Sequence, residues 1–107
     1  MTNQKIIISL LTACLMVTSL YASEAKGKKL YIQKCKKCHG TGGKGASMQT
    51  MDEWEDMFAN DGEEIIEKHE KPGAKGYFNS PKFQRNAPHL KDFLHTYGSD
   101  SGNVPSC

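Results

Sequence analysis

Cys35-Lys36-Lys37-Cys38-His39 places two thiols three positions apart, with an imidazole directly after the second. Four kinds of chemistry use such a group. A thiol-exchange pair of the thioredoxin kind needs a strand–helix–strand setting, and no strand pattern surrounds this motif. A zinc site would take Cys35 and Cys38 with His89 and His95, but the gap from Cys38 to His89 is far longer than a zinc finger uses. A disulfide between Cys35 and Cys38 would close a short, strained loop. The fourth chemistry is covalent attachment of haem. Two thiols at this spacing reach the two vinyl groups on one porphyrin edge and form thioethers. The next residue then lies under the iron. The spacing therefore points to one haem c, with Cys35 and Cys38 as covalent attachment points and His39 as proximal iron ligand.

The elements that must position this group read as helical. Gly27, Leu30, Tyr31 and Cys35 recur at helical spacing and predict a first helix from about Ser23 to Cys38. Gly40-Thr41-Gly42-Gly43-Lys44-Gly45 follows as a loop. It lacks the spacing of a phosphate-binding loop, and its glycines suit a backbone passing close to a flat ligand. Thr50 and Glu53 form a capping-box pair for a second helix with Met51, Trp54, Met57 and Phe58 on its apolar face. Asp61 and Glu64 repeat the signature for a short third helix carrying Ile65, Ile66 and His69, ended by Pro72-Gly73. Gly73 to Arg85 reads as a loop. Leu90, Phe93, Leu94 and Tyr97 mark the last helix, entered at Asn86 or Ala87 with Pro88 in its first turn and stopped by Gly98. A polar tail runs from Ser99 to Cys107.

Gly27-x-x-x-Tyr31 leading into Cys35-x-x-Cys38-His39-Gly40 resembles the amino-terminal helix of class I cytochromes c. The likeness covers both ends of the chain after the leader, while the stretch from Ser47 to Arg85 is not matched motif by motif. The resemblance implies an all-α, cytochrome c-like fold of three to five helices around one covalent haem. Its first and last helices pack together, and Tyr31, Trp54, Phe58, Leu90, Phe93, Leu94 and Tyr97 supply the apolar pocket. It also implies an electron carrier rather than an enzyme: no side chain acts as acid, base or nucleophile, and there is no direct substrate.

That family usually supplies a methionine as sixth iron ligand shortly before the last helix, and here no methionine follows Met57. His69 is the preferred distal ligand, since it follows Ile65 by four residues and shares its face. Met48, Met51, Met57 and His89 are the alternatives, and an open site is a further one. His95, five residues after Leu90, reads as solvated. Two imidazoles leave the iron at a lower potential than imidazole with thioether, whereas an open site binds small gases or peroxide.

Lys5, the apolar run from Ile6 to Val17 and the small residues Ala22, Ser23 and Ala25 read as a secretory signal peptide. The expected division is 1–22 signal peptide, with cleavage after Ala22 or Ala25, and 23–107 cytochrome c domain, exported to the periplasm. A retained membrane anchor is one alternative. Lipidation at Cys14 in Leu11-Thr12-Ala13-Cys14 is another. Removing the leader takes the net charge from +2 to +1, which leaves no signal for nucleic acid.

Between Lys26 and Lys44 there are seven lysines and no acid; between Asp52 and Glu70 there are nine acids and one lysine. One reading is two solvated helix faces. The other is a molecular dipole whose lysines, set around the attachment motif, steer it to periplasmic or membrane-bound redox proteins with acidic docking surfaces. Cys107 is the odd cysteine and offers a disulfide to a partner or a free thiol. The expected function is single-electron transport. Two rivals stand beside it: a gas-binding or sensory haem protein, and a haem subunit of a larger oxidoreductase. A two-haem peroxidase needs a second attachment motif, which the chain lacks.

Overall fold

The structure, a computed structural model, describes residues 22–107. The expected leader up to Tyr21, the lipidation site Cys14 and the membrane-anchor alternative lie outside the described residues. Six helical segments follow in order: α1 (Glu24–Lys34), α2 (Lys36–His39), α3 (Gly42–Ala46), α4 (Met51–Lys68), α5 (Lys75–Phe78) and α6 (Pro81–Thr96). There is no strand among the described residues, so the chain is all-α. No helix among them is long and apolar enough to cross a membrane.

The dominant packing is α1 against α6, followed by α4 against α6. Gly27 makes the first of these possible. A side-chain carbon there would run into the backbone of His89 and the Cβ of Phe93, the latter at 2.8 Å. Leu30, Tyr31, Leu90, Phe93 and Leu94 close over this crossing, and Phe93 is fully buried. Trp54, Met57, Ile65, Phe78, Phe83 and Ala87 continue the same core toward α4 and α5. Burying each large apolar side chain contributes about 1.5–3 kcal/mol, so this cluster is the main source of stability.

Four local expectations are corrected. The first helix does not run unbroken to Cys38: it ends at Lys34, and Cys35 (φ −118°, ψ −33°) joins it to α2. The glycine-rich stretch is a helix, α3, capped by the Thr41 hydroxyl accepting from Lys44 N–H. Two of its glycines make room for neighbouring protein, Gly45 for the Tyr31 ring and Gly42 for Cys107 and Phe93.

The capping box at Thr50 and Glu53 is present, but Asp61 does not repeat it. Asn60, Asp61 and Gly62 all take positive φ (53°, 59° and 76°) and break α4 into two arms, as the expected start of a third helix required. Asn and Asp tolerate this left-handed region better than other residues with side chains. The Asp61 carbonyl accepts from Gln84 Nε2 at 2.9 Å, fixing the bend to α6.

The last helix starts earlier than expected, at Pro81, with the Ser80 hydroxyl accepting from Phe83 N–H. Pro81 fills the first helical position, where an N–H is not needed. Pro88 sits inside the helix. The partner it denies is the carbonyl of exposed Gln84, which water can satisfy. The tail beyond Gly98 returns to the core: Lys28 Nζ donates to Ser106 Oγ at 2.8 Å, and Gly42 N–H donates to the Cys107 carbonyl at 2.7 Å.

Candidate functional site

Cys35, Cys38 and His39 lie on the short segment where α1 gives way to α2. The turn is held from both sides. Cys35 N–H donates to the Tyr31 carbonyl at 2.8 Å, and His39 N–H donates to the Cys35 carbonyl at 3.0 Å. After His39 the chain must reverse, and Gly40 does this at φ +81°, a conformation that disfavours any side chain. The buried Tyr31 hydroxyl then donates toward the carbonyls of Gly40 (2.8 Å) and Thr41 (3.1 Å), tying the end of the motif back to α1.

Cys38 is exposed, while Cys35 and Cys107 are half-buried, and among the described residues no disulfide joins them. Burial, with a contribution from Cys38, pushes the Cys35 thiol up to about 11. Burial and the neighbouring His69 hold His39 below the usual imidazole range. Its neutral form, the one that can bind a metal, is therefore favoured.

His69 arrives from the opposite side. It caps the C-terminus of α4, and its Nδ1 lies 2.6 Å from the Ile65 carbonyl. With the proton on Nδ1 donated to that carbonyl, Nε2 keeps its lone pair. The ring is stacked on Phe78, with centroids 4.0 Å and planes 19° apart. It faces His39 edge-on, with centroids 5.9 Å apart and planes at 71°. The sequence separates these two imidazoles by thirty positions; the fold brings them into contact.

The other candidates are placed elsewhere. Met48 is 53 % exposed. Met51 is half-buried beside Gly98, and its backbone N–H donates to Asp100 Oδ1. Met57 is buried in the core cluster. His89 accepts from Ser23 N–H through Nδ1 at 3.0 Å. His95 is half-buried rather than fully solvated, with Nε2 3.6 Å from Glu55. The zinc grouping with His89 and His95 does not form: among the described residues no three His, Cys, Asp or Glu side chains gather as a metal-ion site. Of the expected pocket, Tyr31, Trp54, Leu90, Phe93 and Leu94 are buried, while Phe58 and Tyr97 are partly buried against them.

Sequence reasoning missed Tyr77 and Asn86. Asn86, the one buried polar residue among the described residues, donates from Nδ2 to the Tyr77 hydroxyl oxygen at 3.0 Å. Lys34 Nζ lies over the Tyr77 ring, 5.0 Å from its centroid. Burial raises the Tyr77 hydroxyl, the Asn86 bond opposes this, and proximity to Cys35 adds to it. The Ser80-Pro81 pair was the signal that could have placed Tyr77 and Asn86 on either side of a helix start.

No curated protein and no solved structure matches the chain. A family profile does match, over residues 22–96, which is most of the chain and includes both the attachment motif and α6. Its description is cytochrome c oxidase, cbb3-type, subunit III. The match and the all-helical fold agree with the Cys35, Cys38, His39 motif, and a cytochrome c domain of this kind binds haem c. The chain belongs to the cytochrome c oxidase cbb3-type subunit III family, whose matching segment is a class I c-type cytochrome domain.

Proposed function

We propose that this protein is a monohaem c-type cytochrome, exported to the periplasm, that passes single electrons between redox proteins. Cys35 and Cys38 tether the cofactor, His39 is the proximal iron ligand and His69 the distal one. When bound, haem supplies a one-electron iron couple; the chain supplies its attachment, its axial nitrogens and a dry surround.

The observation that carries this reading is the facing pair His39 and His69. The two rings lie 5.9 Å apart, centroid to centroid, so His39 and His69 are the residues that would hold the iron, each offering one imidazole nitrogen. His69 is prepared for this role, because its Nδ1 is engaged by Ile65 and its ring by Phe78. Such second partners fix tautomer and orientation in metal-binding histidines. Imidazole on both sides places the potential below that of a histidine–methionine site, and it closes the position a gas sensor would keep open.

The lysine cluster supports docking. Lys29, Lys34, Lys36, Lys37 and Lys44 are exposed around the attachment motif, while Asp52, Glu53, Glu55, Asp56, Glu63, Glu64 and Glu67 are exposed along α4. Opposite charge at the two regions orients the approach of a partner with an acidic surface, and salt weakens that steering.

A second reading, haem subunit of a larger oxidoreductase, is favoured by the description of the matching family. Co-purification with a membrane oxidase distinguishes it from a free carrier.

The test is spectroscopic. Holoprotein from a host able to attach haem is expected to be low-spin, without a methionine-to-iron charge-transfer band, and slow to bind carbon monoxide when reduced. His69→Ala is expected to become high-spin and bind carbon monoxide readily. An unchanged spectrum in His69→Ala overturns the distal assignment. A colourless product of unmodified mass overturns the haem assignment itself.

A further inference from the structure

The two cleavage positions compatible with the leader leave different first residues, Ser23 or Lys26. Leader removal acts on a chain not yet folded, so what separates the two is what each product keeps. Ser23 is the N-cap of α1, in extended backbone (φ −124°, ψ 122°). Its hydroxyl accepts from Lys26 N–H at 3.2 Å, and its carbonyl accepts from Gly27 N–H at 2.9 Å. Its own N–H donates to His89 Nδ1 at 3.0 Å, across sixty-six positions of sequence. Glu24, in the first turn, complements the positive end of the helix dipole and faces the Tyr97 hydroxyl, raising it. Ala22 is exposed and lies outside the helix. A product beginning at Lys26 lacks the cap, the His89 contact and the Glu24–Tyr97 contact together. A product beginning at Ser23 lacks none of them.

We infer that the Ala22–Ser23 peptide bond is the processing site, and that the α-amino group released on Ser23 is held by the His89 imidazole against α6. The step is a hydrolysis by a leader peptidase. Water adds across the amide, the C–N bond breaks, Ala22 keeps the new carboxylate and Ser23 the new amine, which takes up a proton from water. The nitrogen that donates to His89 in the intact chain is the same atom that becomes the terminus. His89 is thereby committed to holding α1 to α6, which removes it from the set of iron ligands.

Two measurements on mature holoprotein purified from a bacterial periplasm test this. Intact mass and terminal sequencing are expected to give Ser23 as first residue; a start at Lys26, or a retained leader, overturns the processing site. An aldehyde reagent selective for α-amines then reports docking. His89→Ala is expected to be modified several-fold faster than wild type, while His95→Ala, which loses only its Glu55 contact, keeps the wild-type rate. Equal rates in wild type and His89→Ala, or equal acceleration in both variants, overturns the docking. Neither readout depends on iron ligation, so failure here leaves the electron-carrier reading standing.

Discussion

The imidazole of His69 lies flat on the ring of Phe78, with centroids 4.0 Å and planes 19° apart, while its Nδ1 sits 2.6 Å from the Ile65 carbonyl. The ring is thus held in plane by the stack and in rotation by the hydrogen bond. Both restraints come from α4 and α5, so the placement of the His69 ring is set by the fold of those two elements.

Replacing Phe78 by leucine keeps most of the volume and removes the flat surface. The holoprotein is expected to show a mixture of low-spin and high-spin haem and faster carbon monoxide uptake than wild type. Electron paramagnetic resonance of the oxidised protein measures this; a uniformly low-spin signal would show that stacking does not position His69.

Gly27 and Gly76 make an opposed pair. A methyl group at Gly27 collides with the His89 backbone, which cannot yield without parting α1 from α6, whereas nothing lies within 4 Å of a methyl group at Gly76. Gly27→Ala is expected to cost about 3 kcal/mol or more, at the upper end of single-site effects. Gly76→Ala, in a helical turn, is expected to stabilise by about 0.4–1 kcal/mol. Urea unfolding of both variants gives the comparison.

Trp54 Nε1 donates to the Ala46 carbonyl at 2.8 Å, a buried bond that joins α4 to α3. Trp54→Phe keeps an aromatic ring in the core and leaves that carbonyl without its partner, at an expected cost of about 1–3 kcal/mol. Thermal unfolding monitored by circular dichroism is the measurement.

Tyr31 is 2 % exposed, and burial, then Cys35 and Cys107, push its hydroxyl from 10.0 up to about 12. The unfolded chain releases this proton near pH 10 and the folded one two units later, so the unfolded state binds fewer protons in between. Stability is fully present below pH 10 and falls as pH rises toward 12. Tyr31→Phe is expected to be less stable than wild type at pH 7, losing the bonds to Gly40 and Thr41, but to decline less steeply in that alkaline range.

Three features were legible because they obey local rules. The cysteine spacing, the apolar face of Leu90, Phe93 and Leu94, and the Thr50–Glu53 capping box need no distant partner to be recognised. His69 was legible as a candidate through its register with Ile65, but its meeting with His39 depends on the left-handed bend at Asn60–Gly62, which no periodicity reports. The stretch from Gly73 to Arg85 misled because two prolines compete for one role. Pro88 suits a helix start in isolation, and only the Ser80 hydroxyl accepting from Phe83 decides for Pro81. The glycines of α3 misled in another way: they read as a loop, and the Thr41 cap that starts a helix there has no apolar periodicity behind it to announce it.

The Cys107 carbonyl receives the N–H of Gly42, and Ser106 receives Lys28. The last two residues thus clasp both neighbours of the attachment motif at once, α1 before it and α3 after it, so the register of the motif is held from the far end of the sequence.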